Sequence, residues 1–250
     1  MASAMFMNAS PVHPPKITTV KALVESTGSS SIPSFYFTPY LRDEPIAGDA
    51  EDSVPIIDIS LLVSGTPEQT GKPAQTGAAS CLTKAMIASF QEFFDLPEEE
   101  KKVSRKPCHG SNQVCEIARE FGKRNREVVI ILLKAISKSL GLEESYVEKA
   151  ANFELGFQLL AANYYPTCPE PEKAIGIPAH YDHGLLTTLV NNGVSGLQVK
   201  HNEKWFNVDI PANVLFVQVA DHLEVHSITL LELHFYLSPC VIHLLIIFLN

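Results

Sequence analysis

Between Phe157 and Val219 five short apolar runs, FQLLAANYY, LLTTLV, GLQV, WFNV and NVLFVQV, are cut apart by PTCPEPEK, NNGVS, KHNEK and DIPA. Runs of this length are too short for core helices, and the Pro, Gly, Asn and Asp clusters between them are turn chemistry, so the region predicts antiparallel β packing in a sandwich or barrel. Upstream the period changes. Met86, Phe90 and Phe94 recur at four-residue steps and stop before Pro97, which predicts a helix resuming near Cys81. From Val114 to Leu140 a longer helix is predicted, with Ile117, Phe121, Val128, Leu132, Ile136 and Leu140 on its apolar face and Gly141 as its cap. The expected fold class is mainly β with N-terminal helices, the sheet region being jelly-roll-like.

The flanks are less regular. Residues 1–52 read as an irregular lead in which Phe35, Tyr36 and Phe37 are available to lie on a core, and VPIIDI from Val54 to Ile59 reads as a short strand. SGTPEQTGKPAQTGAAS is a loop by composition, and EEEKKVSRKPCHGSNQ a solvated connector. We therefore divide the chain into the lead (1–52), a strand and helical region (53–152), a core (153–225) and an apolar tail (226–250). A chain of 250 residues with 46% hydrophobic residues can bury one sizeable core. Its formal net charge of −9 gives no cationic surface for a phosphate backbone, so no nucleic-acid partner is expected. Five cysteines, odd in number and irregular in spacing, and an N-terminus without a basic start and apolar run predict reduced thiols in a cytoplasmic protein.

The chemistry centres on IPAHYDHGLLTTL, where His180 and Asp182 bracket one residue. On an extended segment, residues two apart share a face, so the two side chains can converge on one metal ion while Tyr181 and His183 point elsewhere. Imidazole nitrogen and carboxylate oxygen suit Fe(II), and a site with two histidines and one carboxylate leaves positions open for further ligands. Short H-x-D strings also arise by chance, and the bland reading is an ordinary polar turn. Gly184 permits close backbone approach beside the pair.

The segment LAANYYPTCPEPEKAIGIPAHYDHGLLTTLVNNGVSGLQVKHNEKWFNVDIPANVLFVQVADHLEV resembles the core of plant 2-oxoglutarate and Fe(II)-dependent dioxygenases, and SVPIIDIS and MIASFQEFFDLPEEEKK resemble their N-terminal region. The resemblance implies a double-stranded β-helix core. It also implies Fe(II) as metal, 2-oxoglutarate as cosubstrate, ascorbate as the supporting reductant and a small plant metabolite as the substrate to be hydroxylated or desaturated. His180 and Asp182 take the places of the first two iron ligands, and Asn163 and Tyr165 of NYYP those of residues lining the cosubstrate pocket. From the residues alone, Tyr165 reads better as a packed core tyrosine with a satisfied hydroxyl.

The same resemblance exposes breaks. The family's third ligand and the two residues of its R-x-S motif fall, counted on this chain, at Tyr236, Ile246 and Phe248. After Val225 the sequence HSITLLELHFYLSPCVIHLLIIFLN departs from the pattern, which makes the expected core incomplete. His234 is the nearest replacement ligand, with His222, His226 and His243 behind it. No Lys or Arg follows Lys204, so the usual bidentate anchor for a dicarboxylate is missing from the tail, and Lys200 or Lys204 would have to substitute. The Trp-Gly-Phe-Phe strand and Asn-His-Gly turn of the family are also absent upstream. Two readings stand: a dioxygenase, or a catalytically impaired remnant lacking the third ligand and the arginine. The tail is apolar enough to raise a membrane span, but Glu232, its histidines and Pro239 argue instead for a sticky tail on a chain expected to be monomeric unless that tail drives association.

Overall fold

The structure is a computed structural model that describes residues 20, 21, 24, 31–37, 56, 57, 77–97, 99–101, 113–201, 203–212, 214–224 and 241–249. Among them, α1 is Gly77–Asp95, α2 is Gln113–Ser139 and α3 is Tyr146–Ala150. The strands are β1 (Phe157–Tyr164), β2 (Leu186–Asn191), β3 (Leu197–His201), β4 (Lys204–Val208), β5 (Phe216–Val219) and β6 (Val241–Leu249).

Both helices form where the apolar period places them. On α1, Met86 is fully buried, with Phe90 and Phe94 packed beside it, and the Phe94 ring stacks on Tyr164 of β1 at 5.3 Å. Helix α2 ends in a left-handed glycine, Gly141 at φ 73°. The Leu142 amide donates to the Ser137 carbonyl and the Gly141 amide to Lys138, the paired bonds that satisfy the last carbonyls of a helix. The face α2 buries is turned by one residue from the expected one: Phe121, Asn125, Val129, Leu133 and Ser137 are buried, while Leu132 and Ile136 are only partly so. Two polar side chains stand in that stripe, and each makes a buried hydrogen bond there, although among the described residues Asn125 Oδ1 has no hydrogen-bond partner. Asn125 Nδ2 donates to Thr188 Oγ1 at 2.9 Å, and the Ser137 hydroxyl donates to the Leu133 carbonyl at 2.9 Å while accepting from the Val147 amide of α3.

All five expected strands of the 157–219 region are present, but the mainly β double-stranded β-helix is not. The described residues form an open four-stranded sheet of order β1-β6-β2-β5 and a separate two-stranded hairpin, β3-β4. Helices of 19 and 27 residues accompany strands of only four to nine. The cause lies in the tail. Its last apolar run enters the sheet as β6 between β1 and β2 and pairs parallel with both, Leu159 with Leu244 and Thr187 with Leu244 in one row. Only β2-β5 and β3-β4 are antiparallel. A ladder of this order leaves β1 and β5 as edges of the described sheet, so it neither curls closed nor supplies alternate strands to a facing sheet.

Alternation along β2 assigns the two faces. Leu186, Thr188 and Val190 turn to the helices, where Leu186 packs with Val129, Leu133, Val147 and Phe153, and Val190 with Met86 and Phe121. Leu189 turns the other way, into a cluster with Val208 and Ile210 beside the hairpin. Both faces of β2 are therefore buried. On β1, Leu160, Ala162 and Tyr164 face the helices, while Leu159 and Phe157 are exposed.

Other expectations fare unevenly. Ile56 and Ile57, the described part of the VPIIDI segment, are exposed and in no strand. Tyr36 and Phe37 border a short 3-10 turn (Ser34–Tyr36) and are exposed rather than laid on the core. Cys81 and Cys168 are free, but Cys115 is disulfide-bonded, against the expectation of reduced thiols throughout. No helix among the described residues is long and apolar enough to cross a membrane.

Candidate metal half-site

His180 and Asp182 lie in the extended stretch that leads into β2. Their side chains converge, as the spacing requires, with Nε2 of His180 3.3 Å from Oδ1 of Asp182. His180 is about half exposed (48%), while the Asp182 side chain is mostly covered (12%). The other ring nitrogen, Nδ1, lies 2.8 Å from the carbonyl of Pro178. A carbonyl only accepts, so Nδ1 is the donor in this contact, and Nε2 is the ring nitrogen turned to the carboxylate. Nε2 can meet that carboxylate oxygen as a proton donor or share a metal ion with it. The donor set, an imidazole nitrogen whose other N–H is held by a carbonyl plus one carboxylate oxygen, fits two positions of an iron(II) site.

The backbone behind the pair is tied down. The Asp221 amide donates to the Asp182 carbonyl, the His222 amide to Gly184 and the Ala220 amide to Leu185, at 3.0, 3.0 and 3.1 Å. These bonds continue the β2-β5 ladder past its end, and Gly184 makes the turn possible with φ 111°, a conformation other residues rarely adopt. His183, expected outside the pair, does stand apart: its Nδ1 is 3.7 Å from Asp221 Oδ2, and its ring centroid is 6.4 Å from that of His222. His183, Asp221 and His222 form a loose polar group beside the pair. Among the described residues, no three His, Cys, Asp or Glu side chains are arranged to hold a metal ion.

The remaining expected residues divide. Asn163 is in β1 and Tyr165 just past its end, both half-buried. Burial pushes the Tyr165 phenol above its ordinary value. Its ring presses on Gly176: a Cβ built there would stand 2.7 Å from Cε1 and 2.9 Å from Cδ1. His234 and His226 lie outside the described residues, as does Tyr236. Ile246, at the place of the family arginine, is mid-strand in β6, its backbone paired with Ala161 and Leu189. Lys200 does not substitute as a cationic anchor, because it pairs with Glu203 at 3.1 Å and lies over the Trp205 ring at the hairpin tip. The Pro178 carbonyl, the residue contact that orients His180, was not singled out in the sequence; the only signal for it is a proline two residues before the histidine in I-P-A-H.

Comparison with known proteins decides the ancestry. A model of the 2OG-Fe(II) oxygenase superfamily matches residues 156–235, and a rice (Oryza sativa subsp. japonica) protein, 2-oxoglutarate-dependent dioxygenase 19, is 31% identical over 225 residues, 69% of this chain and 67% of its own length. The chain belongs to the 2OG-Fe(II) oxygenase superfamily. Its superfamily relatives include Protein DMR6-LIKE OXYGENASE 1 of Arabidopsis thaliana, 30% identical over 83% of this chain and 75% of that one. A flavonol synthase/flavanone 3-hydroxylase of Petunia hybrida is more alike, 43%, but over 45% of this chain and only 32% of its own length. A crystal structure of JOX2 in complex with 2OG, Fe and JA aligns with 84% of this chain and 75% of that one at a TM-score of 0.64 and 20% identity, a likeness of fold alone. The family match runs beyond Val225 and ends one residue short of Tyr236. Both halves of the candidate pair, together with Asn163 and Tyr165, fall inside it.

Proposed function

We propose that this chain is a catalytically impaired member of its superfamily, one that keeps a two-donor metal half-site and lacks the groups that complete turnover. His180 and Asp182 would hold Fe(II), which when bound supplies the redox chemistry of the family reaction. Asn163 and Tyr165 would border the space for 2-oxoglutarate, and burial raises the Tyr165 phenol further above neutral pH.

The observation that carries this reading is Ile246. At the place where the resemblance calls for a bidentate cation, the chain has an apolar residue in the middle of a sheet, with no Lys or Arg after Lys204 and with Lys200 engaged elsewhere. A dicarboxylate brought out of water without such a partner pays its full desolvation cost. A metal held by two protein donors also binds more weakly than one held by three. The substrate class that follows from the family is a small plant metabolite, handled by a protein in the cytoplasm. The full dioxygenase reading, with His234 as third ligand and ascorbate maintaining the iron, is the alternative this proposal must beat.

The test supplies purified protein with Fe(II), ascorbate and 2-oxoglutarate labelled at the carboxyl carbon beside its keto group, and counts carbon dioxide. The expected result is release no greater than the metal blank, while Co(II) titration still detects a weak site that His180→Ala abolishes. Carbon dioxide release that disappears in His180→Ala and in His234→Ala would instead establish a working dioxygenase. Tyr236→His alone is expected to leave the protein inactive, because the cation is still missing.

A further inference from the structure

We infer that the half-site is completed between chains: His180 and Asp182 of two copies, related by a twofold axis through the ion, hold one divalent cation of the zinc or cobalt type and join the copies into a metal-dependent dimer. The inference rests on the reading of His180 and Asp182 as a metal half-site, and adds what fills its remaining positions.

The spacing of the two donors comes first. Nε2 of His180 and Oδ1 of Asp182 stand 3.3 Å apart, and two donors that each lie about 2.0 Å from a tetrahedral ion are about 3.3 Å from one another. The pair therefore spans one edge of a four-donor site. Among the described residues, no third His, Cys, Asp or Glu side chain is arranged to join it. A twofold axis presents the same surface twice, so a two-donor site lying on that axis gains two imidazoles and two carboxylates in all, and the carboxylates balance the charge of the dication.

The surface around the pair is open to a second copy. The His180 imidazole is half exposed, and Ile175, Ile177 and Tyr181 of the same segment are exposed large side chains that offer contact area beside the ion. Behind the pair, the bonds from the Asp221 and His222 amides hold the backbone that presents it. Charge makes the ion obligatory. Neither residues 174–199, which carry the donors, nor residues 205–224, which support them, include a Lys or Arg, and each chain has a formal net charge of −9. Two such faces repel until a cation lies between their Asp182 carboxylates. Association through the apolar tail, by contrast, needs no ion.

The experiment uses the full chain without an affinity tag, freed of metal with EDTA, and follows sedimentation during titration with Zn(II) or Co(II). The metal-free protein is expected to sediment as a monomer. Either ion is expected to double the mass at one ion per two chains, Co(II) with the strong visible absorption of a tetrahedral site, and EDTA to reverse the change. Because a bridging ion draws in a second chain, the apparent Co(II) affinity of the wild type should rise roughly tenfold over a tenfold rise in protein concentration. His180→Ala and Asp182→Ala, each shown by circular dichroism to fold, are expected to lose the doubling, and His234→Ala to keep it. A complex of one ion with one chain, an affinity indifferent to protein concentration, or a doubled mass that persists in EDTA or in His180→Ala overturns the inference. The two readings fail differently: a one-to-one complex on a monomer removes the bridge and leaves the half-site, whereas a wild type that binds no Co(II) removes the half-site itself.

Discussion

The four-stranded sheet has two unlike faces. Against the helices, β1 and β2 bury Leu160, Leu186 and Val190 beneath Met86, Phe121, Val129 and Leu133, and even the polar members of that layer, Asn125 and Thr188, bond to each other. On the other face, Leu189 is covered beside the hairpin, but Leu159 and Phe157 on the β1 edge are left 50% and 61% exposed. The difference teaches where the stability of this protein resides. The helix-covered face is a finished core, and the metal half-site sits at the end of a ladder that continues only one antiparallel pair.

Point substitutions should report that asymmetry. Leu133→Ala, at a fully buried position in the first cluster, is expected to cost roughly 2–5 kcal/mol in chemical denaturation, whereas Leu159→Ala should stay within about 0.5 kcal/mol. Equal losses at the two sites would show that a partner or another segment covers the exposed face. Next in size is Gly184→Ala. A side chain at φ 111° is strained by roughly 1–3 kcal/mol, and the strain falls between Asp182 and β2, so Co(II) affinity should drop along with thermal stability. Retained affinity would mean that the pair does not depend on the Asp221 and His222 bonds behind it.

Thr188→Val probes the polar seam of the covered face. It removes the hydroxyl that accepts from Asn125 while keeping shape, and should cost about 1–2 kcal/mol. A double-mutant cycle with Asn125→Ala that shows no coupling would break the claim that the seam holds helix to sheet.

How much of this was legible in the sequence follows from what each feature depends on. Strands β1 to β5 were legible because turn clusters bracket them, and α2 because its period and Gly141 mark both its length and its end. Its buried face was misread by one position, since Asn125 and Ser137 look like surface residues until their partners Thr188 and Val147 are known. Sheet order was not legible: β6 pairs with β1 and β2 across more than fifty residues of intervening chain, and an apolar run says nothing about whether it joins a sheet parallel, antiparallel or not at all. The convergence of His180 and Asp182 was legible, because it follows from a two-residue period. The Pro178 carbonyl that meets Nδ1 was not, because its only mark in the sequence is a proline two residues before the histidine.

The smallest expected effect concerns the turn between β1 and the half-site, on the less finished side of the molecule. Glu170 accepts from Lys173 and, through Oε2, from the Ile32 amide at 2.9 Å, and so pins the described N-terminal stretch 31–37 to that turn. The hydrogen bond from Lys173, and after it the one from Ile32, hold the Glu170 carboxyl below its ordinary value. A carboxyl with a lowered folded value adds stability that is complete above its unfolded value and fades as pH falls through the folded one. Acidification below the usual glutamate range should therefore release the Ile32 amide to hydrogen exchange before the Leu133 layer loosens. In Glu170→Gln the charge is gone, so the Ile32 amide should exchange faster already at neutral pH and show no acid step, with the midpoint of global denaturation unmoved. A step at the same pH in Glu170→Gln would assign the release to another group and show that the flank is held to the molecule elsewhere.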